Sequence, residues 1–70
     1  MDITGRLENW VLDASFNMMW GEIYDDVHNR WWNGAHIHTS TLKHPIKTEH
    51  KEGDIIQTRN STYLLGKALR

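Results

Sequence analysis

Among the 70 residues, the five histidines are the side chains best suited to chemistry, and two of them, His36 and His38, sit two positions apart. Residues at that spacing on a strand project from one face. The pair therefore has the spacing of two zinc ligands, with His28, His44 or His50 to supply a third. Zinc also needs a placed carboxylate or water and an outer shell to orient the imidazoles, and the sequence specifies neither. The plainer reading is a solvated strand face opposite Ala35 and Ile37. Its imidazoles would titrate near neutral pH and make binding pH-sensitive without a metal. The expectation is no metal and no cofactor.

The acids form the second group. Asp25 and Asp26 are adjacent, with Glu22 just before them. A general acid–base pair needs two carboxyls facing one cleft, and so short a chain has little volume for a cleft. Aspartates in a turn are explained by hydrogen bonds to their own backbone. No Ser-His-Asp arrangement, glycine-rich phosphate loop or HExxH motif is present. The absence of cysteine removes thiolate chemistry, disulfides and Cys-based zinc sites together. These observations point away from an enzyme and toward a protein that binds.

Four tryptophans carry much of the packing area in so small a chain. Trp31 and Trp32 are neighbours, so on a strand they face opposite ways, one toward the core and the other available as a contact residue. With Arg30, Lys43 and Arg59 they could build an aromatic platform beside a basic groove, the equipment of a small nucleic-acid-binding barrel. That is the alternative function. A pI near 6.5 weighs against it, because phosphate contacts need a basic surface. So does the charge distribution: residues 1–29 hold six acids against Arg6 alone, a charge of −5, and residues 30–70 carry +4.

These side chains must be positioned by short strands, since no stretch keeps a helical period. Residues 3–12 read as a first strand whose inward phase switches between Leu7 and Trp10, which calls for a bulge at Glu8-Asn9. A short helix over 7–16 is the competing reading. Residues 18–24 alternate, with Met19, Gly21 and Ile23 on one side and Met18, Trp20, Glu22 and Tyr24 on the other. Residues 25–29 read as a turn. Arg30-Trp31-Trp32, the type I′ turn signal Asn33-Gly34, and residues 35–40 then form a hairpin. Residues 41–45 connect to a charged edge strand over 46–50. Glu52-Gly53 turns into a strand over 54–59, and Asn60-Ser61 into one over 63–65. The expected fold is all-β in a single domain: a five- to six-stranded barrel or bent antiparallel sheet, SH3-like in scale. At this length burial alone gives marginal stability, so a homodimer is a natural support. No apolar run reaches the roughly 20 residues that cross a bilayer, and no signal-peptide pattern is seen, which suggests a cytoplasmic protein.

The runs Gly21-Glu22-Ile23-Tyr24-Asp25-Asp26, Arg30-Trp31-Trp32-Asn33-Gly34 and Ile37-His38-Thr39-Ser40 resemble a group of short phage and prophage proteins, as does residues 53–66, GDIIQTRNSTYLLG. The resemblance covers roughly residues 20–66 and brings no catalytic residues with it. It implies a small anti-defence inhibitor, of anti-CRISPR type, that blocks a host protein by direct contact. A nucleic-acid-binding defence protein is then the partner to expect, met by Asp13 and the other acids through electrostatic complementarity. The partner-binding residues expected on these grounds are Trp31, Trp32, Arg30, Glu22, Asp25, Asp26, His36 and His38.

Overall fold

A computed structural model of the chain describes residues 3–43 and 49–69. The described residues form strands without helix: β1 (Gly5–Asp13), β2 (Met18–Tyr24), β3 (Ala35–His38), β4 (Ile55–Gln57) and β5 (Thr62–Leu65). They make one sheet in the order β3-β2-β1-β5-β4. The expected all-β fold is thus observed. The edge strand expected over 46–50 falls mainly on residues 44–48, which lie outside the described residues, as does His44.

The competing helix over 7–16 does not form, and β1 shows why that segment resembled one. Leu7 and Trp10 are both buried although three residues apart. Glu8 pairs with Glu22 and Val11 with Trp20, leaving Asn9 and Trp10 together opposite Gly21. Asn9 takes a left-handed conformation, φ 50°, and the extra residue turns Trp10 inward. Gly21 makes room: a Cβ there would sit 3.2 Å from the Glu8 carbonyl oxygen and 3.3 Å from Trp10 Cα. Asn9 itself is exposed, so its identity matters through backbone conformation. Asn9→Gly should preserve stability, whereas Asn9→Val should cost about 1–2 kcal/mol, as read from denaturant midpoints.

The sheet is mixed, not wholly antiparallel. β1 pairs antiparallel with β2 but parallel with β5. The chain beyond β5 stays beside β1, with Gly66 N donating to the Leu7 carbonyl (2.8 Å) and Leu69 N to that of Trp10 (3.1 Å). The indole of Trp10 closes this seam by donating to the Gly66 carbonyl at 2.9 Å. Leu7, Met19, Ile23, Ile56 and Leu65 are fully buried at the centre of the core. The sheet curls, and one isolated bridge, Leu42 to Thr58, joins the chain after β3 to the chain after β4. No ladder runs between β3 and β4 themselves, so the expected barrel is a bent, open sheet.

The hairpin is the main correction. β3 pairs with β2, not with Arg30–Trp32, which are outside any strand. Asn33-Gly34 does make a turn, with Ala35 N donating to the Trp32 carbonyl at 3.1 Å. Of its two central residues only Gly34 has positive φ, 90°, which fits a type II turn and not a I′ hairpin turn. The alternating runs of β2 and β3 bury Met19, Gly21 and Ile23 against Ala35 and Ile37. Pairing those two apolar faces outweighs the local turn signal.

Candidate functional site

The side chains opposite that core face form the candidate site. On β2 and β3, Trp20 is in register with His38 and Glu22 with His36. The Trp20 and His38 rings lie 4.9 Å apart at a tilt of 48°. Trp20 Nε1 donates to Asp13 Oδ2 on β1 at 3.2 Å, so this 48 %-exposed indole is held by two neighbours. Beside it, Tyr24 donates its hydroxyl hydrogen to Glu22 Oε1 at 3.2 Å, and His36 Nε2 lies 3.7 Å from Glu22 Oε2. The hydrogen bond to Glu22, then burial and the charges of Glu22 and Glu8, hold the Tyr24 phenol above its ordinary pKa, with Arg6 opposing. The Arg6 guanidinium covers the Tyr24 ring at 5.1 Å and pairs with Glu8 (2.7 Å) and Asp25 (2.9 Å). These exposed pairs orient side chains more than they stabilise the fold.

The loop over residues 25–34 closes one end of this face, and Asp26 organises it. Its side chain is 1 % exposed. It accepts hydrogen bonds from Arg30 N (2.8 Å), His28 N (3.3 Å) and the Arg30 guanidinium (3.4 Å). Burial pushes this carboxyl up, but those hydrogen bonds and the Arg30 charge outweigh it and hold the group below its ordinary pKa. The same guanidinium covers Trp31 at 4.3 Å, and Trp31 packs against the core. Trp32, next along the chain, is 77 % exposed.

The expected contact residues therefore divide. Glu22, His36 and His38 share the β2–β3 face, Asp25 stands exposed at its end, and Trp32 projects from the adjoining loop. Asp26, Arg30 and Trp31 are instead joined in holding the loop together. Trp31 and Trp32 do differ in exposure, but through a loop and not through strand alternation. Trp20 and Tyr24 are site residues that the sequence reading passed over, although the alternation of residues 18–24 already placed them on the outer side. Among the described residues, no three His, Asp or Glu side chains converge as a metal site requires.

The basic groove of the alternative function is not assembled. Lys43 and Arg59 flank the Leu42–Thr58 bridge, where Leu42 N donates to the Asn17 carbonyl just before β2 begins. Trp31 and Trp32 follow the opposite end of β2, a strand length of about 20 Å away. A separate shallow hollow of about 650 Å³ is lined by Trp10, Leu12, His50, Lys51, Lys67 and Ala68, among others. No family model, curated protein or solved structure matches the chain.

Proposed function

We propose that this protein acts by binding another protein through the β2–β3 face and the Trp32 loop, and carries out no chemistry of its own. The observation that carries the reading is Trp20. A half-exposed indole fixed by Asp13 and His38 is pre-organised, and a rigid aromatic anchor loses little entropy when a partner covers it. Trp32 supplies a second exposed indole, and Glu22, Asp25 and Asp13 give the surroundings an acidic cast suited to a basic partner surface. The resemblance to short phage proteins extends the proposal to a host defence protein as the target, met in the bacterial cytoplasm. No helix among the described residues is long and apolar enough to cross a membrane.

Affinity capture from bacterial lysate tests this reading when the unaltered protein is compared with a Trp20→Ala/Trp32→Ala double variant. The expected outcome is at least one protein enriched by the first and lost by the second. Identical captured sets would contradict the role of this face. Retention of nucleic acid alone, weakening steeply with salt, would favour the alternative function.

A further inference from the structure

The edge of β3 offers a second surface, made of the backbone groups of His36 and His38, whose side chains belong to the face proposed above. Among the described residues, β3 is the outermost strand and pairs only with β2. Thr39 N donates to the Met19 carbonyl at 2.8 Å, continuing the register that sets Trp20 against His38. In an antiparallel ladder, residues at alternate positions direct their backbone groups to opposite sides. Ile37 and Thr39 therefore face β2, and the N–H and C=O groups of His36 and His38 point away from the sheet. The contacts that curl the sheet lie just beyond this stretch, with Asn60 N donating to Ser40 Oγ at 3.3 Å, Arg59 N to the Thr41 carbonyl at 3.0 Å, and the bridge itself at Leu42.

Natural edges are commonly protected by proline, lysine, a bulge or a covering segment. The β3 sequence Ala35-His36-Ile37-His38 contains no proline and no lysine, and its pairing with β2 shows no register shift. At the opposite side of the sheet, by contrast, the Gln57 carbonyl of β4 accepts from Lys43 N at 2.9 Å.

We infer that the β3 edge receives β3 of a second copy of this chain, antiparallel about a two-fold axis at Ile37, making one continuous sheet across a homodimer. The register follows from symmetry. With Ile37 on the axis, His36 of each copy opposes His38 of the other, and the outward N–H and C=O groups of both residues pair in the narrow hydrogen-bonded arrangement. The edge is thus complementary to itself in the one register that satisfies all of these groups. The imidazoles opposed across the axis lie on the exposed side of the strand. The Trp32 turn, which enters β3, is brought toward the end at which the other copy's chain leaves its own β3. The pairing is short, so the dimer is concentration-dependent.

Sedimentation equilibrium over a concentration series reaching about 1 mM, near the weak limit of specific association, reads the assembly. The expected result is a reversible monomer–dimer equilibrium. His36→Pro should abolish it, because the lost N–H points outward and the ladder to β2 remains; circular dichroism and tryptophan fluorescence check that the monomer stays folded. A second pair of variants keeps the test decisive should proline disturb the strand. His36→Glu/His38→Glu sets like charges opposite each other and should give only monomer. His36→Lys/His38→Glu sets opposite charges together and should restore or strengthen the dimer. A monomer throughout the series, or a dimer indifferent to these changes, overturns the inference without touching the proposed binding face.

Discussion

Asp26→Asn should lower the free energy of unfolding by about 2–3 kcal/mol, the cost of losing hydrogen bonds to a buried charge. The side chain keeps its shape, but the Arg30 guanidinium loses its counter-charge and one former acceptor becomes an NH2 that cannot accept from a backbone N–H. For a domain of this length total stability is about 3.5–10 kcal/mol, so the loss is a large fraction of what is present. Denaturant unfolding followed by tryptophan fluorescence measures it. Asp25→Asn, one residue earlier and 70 % exposed at its side chain, is the matched control and should change little.

The same carboxylate makes stability depend on acid in a defined direction. The folded pKa of Asp26 lies below the ordinary value, so the unfolded chain binds its proton first as pH falls. The contribution of Asp26 is therefore fully present above the unfolded value of about 4 and is lost as pH drops through the folded one. The unaltered protein should lose stability from about pH 4 downward, and Asp26→Asn should flatten that limb while lowering the plateau. An unchanged acid limb in the variant would show that other carboxylates carry it.

Trp31 and Trp32 should separate cleanly into stability and binding. Trp32→Ala should weaken partner binding by about 2 kcal/mol, close to thirtyfold, the scale of an interface hot spot. Its stability should shift by no more than about 0.5 kcal/mol, as for other exposed positions. Trp31→Ala should do the reverse. It removes packing against the core and the surface on which the Arg30 guanidinium rests, at a cost of about 2 kcal/mol. Titration calorimetry with the captured partner and denaturant unfolding of each variant give the two readouts. Equal losses of affinity with no loss of stability would mean that the loop is not anchored through Trp31.

What could be read in the chain beforehand follows the range of the forces involved. The β2 alternation and the bulge at Asn9 are written in local polarity, and both appear in the structure as expected. The hairpin was misassigned because Asn33-Gly34 is a turn signal of short range, whereas the partner of β3 is chosen by long-range burial of Ala35 and Ile37 against Met19, Gly21 and Ile23. The parallel β1–β5 pair joins residues far apart in the chain, with Gly5 beside Tyr63, and no neighbouring sequence marks it. The site was partly legible for the same reason. His36 and His38 stand out by their spacing and Glu22 as an acid beside Asp25-Asp26, but the pairing of Trp20 with His38 depends on the register of β2 and β3. Asp26 was legible as a turn aspartate that bonds its own backbone, as it does to His28 N and Arg30 N, but its burial was not, because no local pattern marks it.

The central claim is that partners meet the outer face of β2 and β3, and site-specific photo-crosslinking tests it most directly. A benzophenone amino acid is placed at Tyr24, on that face, and in a second protein at Lys51, on the rim of the separate hollow. After irradiation in bacterial lysate, the account predicts a discrete higher-mass adduct with a protein from position 24 and none from position 51. An adduct from position 51 with none from position 24 would contradict it.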